Sequence, residues 1–185
     1  MQPLRRLLEG LDRLASPEHY LFTPRDLKVL LPDLSEGAFK VVLSRAAKNG
    51  YLERVCRGLY LYKRMIPITG MLLFHAAARL RANEMNYISL ETVLSDAGVI
   101  SQVPIQWIGI MSSGRSNLIR CGRWGLIEFV HTKQKPENLV DKLFYDYRCR
   151  LWRAKVPQAI RDMKAAHHSL DLIDWSMVDE YTGKA

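Results

Sequence analysis

Glu36, Lys40, Ser44 and Lys48 recur every four residues, with Gly37, Val41 and Arg45 beside them. On a helix that spacing places all seven on one face. A face of short and medium-length polar side chains can hydrogen-bond the edges of bases in a DNA major groove, and its cations can neutralise phosphates. A second basic feature follows at Arg54, Arg57, Lys63 and Arg64, where Arg57 precedes Gly58 in a short polar interruption between apolar runs. Such a turn projects its arginine outward, toward a phosphate backbone or a minor groove.

The elements needed to hold these groups are legible nearby. Thr23 is placed to cap a helix with Pro24 in its first position and Asp26 facing free backbone N–H groups, and Leu27, Leu30 and Leu31 give that helix one buried side before Pro32 ends it. Ser35 is the expected cap of a second helix that closes at Asn49-Gly50, with Phe39, Val42, Leu43 and Ala46 as its apolar side. Residues 51–56 and 59–62 carry β-formers on either side of Arg57-Gly58 and predict a hairpin. Two helices and a hairpin in this order form the pattern of a winged helix-turn-helix. Within it Glu36, Gly37, Lys40, Val41 and Ser44 are the expected base readers. Arg45, Lys48, Arg54, Arg57, Lys63 and Arg64 are the expected phosphate contacts. An alternative is a winged helix used only to bind a toxin or another regulator, with the same charges solvating its outer face. Leu4, Leu7, Leu8, Leu11 and Leu14 predict an amphipathic first helix that packs as the third helix of the unit.

Composition agrees with a polyanionic partner. The 27 Lys and Arg exceed 19 Asp and Glu, giving +8, and residues 1–64 hold 12 basic against 7 acidic side chains. Cys56, Cys121 and Cys149 are too widely spaced for a C-x-x-C metal or redox pair, consistent with a reduced, cytoplasmic protein. The apolar stretch at residues 66–78 is interrupted by Thr69, Gly70 and His75 and is too short for a membrane span, and no secretory signal is evident. No nucleophile elbow is present, and no enzyme activity or cofactor is expected. His167, Asp171 and Asp174 would align on a helix, but a polar helix end is the expectation there rather than a metal site.

The expected fold is α+β: a winged helix-turn-helix at residues 1–65, then residues 66–185 as a small antiparallel sheet packed with helices. Helices are predicted from Phe74 and from Ser89, and strands at 105–111, 117–121 and 124–131. Pro136 is expected to open a helix carrying Leu139, Val140, Leu143, Phe144, Tyr147 and Leu151, with Arg148, Arg150, Arg153 and Lys155 along it, and Pro157 another. The turn at 112–116 is expected to be a plain hairpin loop rather than a phosphate cradle. Tyr60, Tyr62, Tyr87, Trp107 and Trp124 are expected to pack the sheets.

Residues 87–104 (YISLETVLSDAGVISQVP), Gly114-Arg115-Ser116 and residues 124–133 (WGLIEFVHTK), with Arg57-Gly58-Leu59-Tyr60 before them, resemble the AbiEi-type antitoxins of type IV toxin-antitoxin systems over about residues 21–133. The resemblance implies a transcriptional autorepressor, active in phage defence, that binds inverted repeats in its own promoter as double-stranded DNA. It also implies a functional partner, a nucleotidyltransferase-like toxin that need not bind the antitoxin stably. The chain departs from the family pattern after the sheet, where an Ala-Thr-Pro-Glu-Lys-Ala-like segment is missing.

Overall fold

The computed structural model describes residues 2–66, 70–101 and 106–183. The predicted strand start at Ile105 and part of the segment joining the two halves lie outside these residues. The chain divides into two compact units, Met1–Leu72 and Leu73–Ala185.

The first unit contains helices α1 (Pro3–Leu14), α2 (Pro24–Val29) and α3 (Glu36–Lys48) and strands β1 (Leu21–Phe22), β2 (Leu52–Cys56) and β3 (Leu59–Tyr62). Helix α2 starts where a capping box dictates: the Asp26 amide donates to the Thr23 hydroxyl at 3.2 Å, and the Thr23 amide donates back to the Asp26 carboxylate at 2.7 Å. The strands form an antiparallel sheet in the order β1-β3-β2. Strand β1 is too short to read from sequence, yet it pairs Leu21 with Leu61 and Phe22 with Tyr60 and so ties the α1–α2 connection to the hairpin. The register shifts between Arg54 and Cys56, a bulge that increases the ribbon's twist just before the Arg57-Gly58 turn. Leu7 and Leu11 from α1, Leu27 from α2, Phe39, Val42, Leu43 and Ala46 from α3, and Leu52 and Tyr62 from the sheet share one core. Leu14, at the end of the predicted apolar stripe of α1, is half exposed instead.

The second unit is a mixed sheet rather than a small antiparallel one. Helix α4 (Leu72–Leu80) leads into β4 (Asn86–Ile88), α5 (Leu90–Asp96), β5 (Trp107–Ser112), β6 (Asn117–Arg120), β7 (Leu126–His131), β8 (Leu143–Asp146), β9 (Leu151–Ala154), α6 (Val156–Ala165) and α7 (Trp175–Thr182). The strands lie in the order β6-β7-β5-β4-β9-β8. Pairs β4–β5, β6–β7 and β8–β9 are antiparallel, whereas β5–β7 and β4–β9 are parallel. The β6–β7 hairpin is local and its turn signals are in the sequence. Its docking through β7 onto β5, with Trp107 to Ser112 matched in order to Leu126 to His131, is a tertiary choice that places the later strand between two earlier ones.

The helix expected from Pro136 is absent. Pro136–Asn138 makes one 3-10 turn, and the following residues form the β8–β9 hairpin. Phe144, Tyr145, Leu151 and Trp152 are strand formers whose spacing fits either period, and the turn decides between them. The Asp146 carboxylate accepts from the Arg148 and Cys149 amides at 3.0 and 3.1 Å, and Arg150 adopts a left-handed φ of 57°. Both features end a strand and neither continues a helix. Ser89 stands at the start of α5 without capping it through its side chain: its hydroxyl donates to buried Asp162 at 2.7 Å, and Leu90 begins α5 with φ 58°. Asp162 further accepts from Tyr87, Gln134 and Gln158, a buried hub joining α6 to β4 and to the loop after β7. Burial pushes the Asp162 carboxyl above the ordinary carboxylate range.

His167 and His168 lie in the turn after α6. His168 Nδ1 meets Glu91 at 2.8 Å and Asp174 caps α7, so His167, Asp171 and Asp174 do not share a helix. The 112–116 turn is not the expected hairpin loop, because it joins β5 to β6 and β7 lies between them in the sheet; its Gly114 amide donates to the Ser112 hydroxyl, and its Arg115 carbonyl accepts from Arg81, just past α4.

Gly125 has φ 118°, and a Cβ there would lie 2.1 Å from the Gln106 carbonyl oxygen. That carbonyl accepts from the Leu126 amide at 2.8 Å, so it cannot retreat without loosening the start of β7. Gly125→Ala is therefore expected to destabilise the second unit by about 2 kcal/mol or more, read by chemical denaturation. Wild-type stability in that variant would contradict this account.

Candidate nucleic-acid interface

Helix α3 is fixed at both ends and along one side. The Ser35 hydroxyl accepts from the Ala38 amide, and Gly50 follows the helix with φ 76°. With Phe39, Val42, Leu43 and Ala46 buried, rotation about the helix axis is not free. Glu36, Gly37, Lys40, Val41, Ser44, Arg45 and Lys48 are consequently all exposed on the opposite side. Val41 is 49 % exposed, an apolar side chain among polar ones, as a reader of a thymine methyl would be. A Cβ on Gly37 would meet nothing within 4 Å, so packing inside the protein does not require glycine there.

The structure places the other predicted residues on the hairpin and just past it. Arg57 is exposed at the β2–β3 turn, where Gly58 takes φ 82°, and Arg54 is exposed on β2 opposite Tyr60. Lys63 and Arg64 fall in a 3-10 turn, Lys63–Met65, and both are exposed. Arg64 is not available like the others. Its guanidinium binds both oxygens of Asp12 at 3.1 and 2.9 Å and lies over the Tyr51 ring. Tyr62 donates its hydroxyl to the same Asp12 carboxylate, which lowers that carboxyl's pKa with help from Arg64. Burial, reinforced by Asp12, pushes the Tyr62 phenol up to about 12. Arg64 thus anchors the end of the sheet to α1.

Two basic residues of α2 were not singled out by the spacing argument. Arg25 is exposed in the first turn of α2, in a groove with Pro24, Val29, Pro32 and Glu36 that runs along the start of α3. Its signal was present, a cation just inside a capped helix. Lys28 lines the same groove but spends its ammonium on the Leu31 and Leu34 carbonyls, and it sits 5.5 Å from the centre of the Phe39 ring. It holds the connection between the helices.

That connection has a further tie. Arg6 on α1 makes a two-pronged contact with Asp33, at 2.9 and 2.6 Å, fixing the turn that delivers α3. The Arg6 hydrogen bond brings the Asp33 carboxyl down to about 2.

Residues 11–63, from within α1 to the end of β3, match a family model described as transcriptional regulator, AbiEi antitoxin. The match covers most of the first unit and does not extend to residues 87–133. No curated protein matches the chain. Among the described residues no helix is long and apolar enough to cross a membrane.

A carboxyl depressed in the folded state supports stability above its unfolded pKa of about 4 and withdraws that support as pH falls toward the folded value. Asp33→Asn is expected to flatten the loss of first-unit stability between pH about 4 and about 2, measured by urea denaturation across that range. An unchanged slope would show that the Arg6 contact contributes nothing in solution.

Proposed function

We propose that residues 1–65 form a winged helix-turn-helix DNA-binding domain, and that the chain is a sequence-specific autorepressor serving as the antitoxin of a type IV toxin-antitoxin or phage-defence system. The observation carrying this reading is the exposed polar face of α3, held opposite a buried face within the stretch that matches antitoxin regulators. The element order α1, β1, α2, α3, β2, β3 supports it: α2 and α3 with the short turn between them correspond to the helix-turn-helix, and β2–β3 to the wing.

In this reading α3 lies in the major groove of the protein's own promoter, with Glu36, Gly37, Lys40, Val41 and Ser44 toward base edges. Arg45, Lys48, Arg54, Arg57 and Lys63 meet phosphates, joined by Arg25 at the start of α2. Arg64 supports the wing through Asp12 rather than by touching DNA. Inverted repeats would be read by paired copies. Residues 66–185 form the antitoxin-like domain, whose functional partner is a nucleotidyltransferase-like toxin in the cytoplasm. No catalytic step is assigned to either part.

The test is a mobility shift with the DNA immediately upstream of the reading frame, beside a scrambled duplex, at low and near-physiological salt. Wild type is expected to prefer its promoter. Lys40→Ala with Ser44→Ala is expected to erase that preference, at about 1–3 kcal/mol per lost base contact. Arg57→Ala is expected to weaken both duplexes alike and to reduce the slope of log affinity against log salt by about 1. Equal binding of promoter and scrambled DNA by wild type would overturn the reading and direct attention to α3 as a protein-binding face.

A further inference from the structure

The β8–β9 hairpin carries a surface that the reading above leaves unused. Strand β8 is the edge of the six-stranded sheet, and the ribbon interleaves aromatic and basic residues in the order Phe144, Tyr145, Tyr147, Arg148, Arg150, Trp152. Tyr147 is 84 % exposed and Trp152 50 %. Water-facing rings of this size are costly unless something covers them. They also form a connected set. Tyr145 lies directly opposite Trp152 across the ribbon, and its ring meets both neighbours edge to face, at 4.9 Å from Tyr147 and 5.6 Å from Trp152. An apolar cavity of about 260 Å³ opens beside Trp152, lined also by Met85, Leu139 and Leu143.

Charge decides what fits there. Residues 141–155 contain Lys142, Arg148, Arg150, Arg153 and Lys155 against Asp141 and Asp146. Asp146 is neutralised within the ribbon by Arg153 at 3.0 Å, and Arg153 is itself shared with Asp96 at 2.6 Å. The charge presented outward around the rings is therefore positive, with Arg148 exposed beside Tyr147, whereas Lys155 gives its ammonium to the Asp141 carbonyl at 2.8 Å. Rings standing off a basic ribbon offer stacking faces to bases that are not already stacked on one another, and cations to the phosphates between them. A duplex keeps its base faces covered and cannot use them.

We propose that the β8–β9 ribbon binds single-stranded nucleic acid, with Tyr147 and Trp152 as stacking platforms, the cavity beside Trp152 as a seat for one splayed base, and Arg148 as a phosphate contact. Both single-stranded DNA and RNA present this chemistry. The site uses residues of the second unit alone and does not depend on duplex recognition by α3.

The experiment uses the full chain and fluorescence anisotropy with short labelled oligothymidylate and oligouridylate strands and a duplex of the same length, at low and near-physiological salt. Saturable single-strand binding is expected. Tyr147→Ala and Trp152→Ala, substitutions at exposed positions, are each expected to weaken it about tenfold. Lys40→Ala is expected to leave it unchanged while weakening promoter duplex. Tighter binding of uridylate would assign the site to RNA through the 2′-hydroxyl, and equal binding would assign it to single strands of either sugar. Failure of wild type to bind either strand would overturn the proposal, as would aromatic variants that bind like wild type. Self-association lost in Trp152→Ala, without oligonucleotide binding, would overturn it in favour of a second copy of the chain as occupant.

Discussion

Everything proposed for the first unit depends on the burial of one helical stripe. Phe39, Val42, Leu43 and Ala46 fill a core supplied by Leu7, Leu11, Leu27, Leu31, Leu52 and Tyr62. Once that stripe is buried, the polar face of α3 has one orientation. The supporting contacts refine the same outcome: Arg6 on Asp33 and Lys28 on the Leu31 and Leu34 carbonyls fix the entry to the helix, and Arg64 on Asp12 fixes the far end of the ribbon. Individually, exposed ion pairs of this kind are weak. Their value here is positional, because together they fix where the exposed face of α3 stands.

The same contacts separate two kinds of basic residue that look alike in sequence. Lys40 and Arg57 project from surfaces without a structural task of their own in the packing described above. Lys28 and Arg64 close internal contacts, and their substitution would disturb the shape of the unit before it disturbed any ligand. Arg25 makes the opposite point. Its neighbours Thr23, Pro24 and Asp26 announce a helix start so clearly that the cation among them is easily read as part of the cap.

Much of the first unit was legible because its signals are local. Caps at Thr23 and Ser35, the stop at Asn49-Gly50 and the turn at Arg57-Gly58 are each written within a few residues, and α2, α3, β2 and β3 fall close to where those residues place them. The α3 face was equally legible, since helical spacing alone separates it from the core. The second unit was read less well for a physical reason. Strands β5 and β7 lie parallel, and β9 returns beside β4 across more than half of the unit, arrangements decided by long-range packing. Residues 139–151 show the limit most plainly. Leu139, Leu143, Tyr147 and Leu151 keep a helical interval, yet the Asp146 turn and the left-handed Arg150 make a hairpin, and the basic residues assigned to a helix flank stand on and around an edge ribbon.

The central claim is that the exposed face of α3 and the β2–β3 turn together contact DNA. Its most direct test is a heteronuclear NMR titration of the full chain with the promoter duplex, following backbone amides of both units. The account predicts the largest shift changes at Gly37, Lys40, Val41 and Ser44 and at Arg57-Gly58, with Phe39 and Leu43 responding only weakly behind them. Changes confined to residues 73–183, or absent from α3 at saturating duplex, would contradict it.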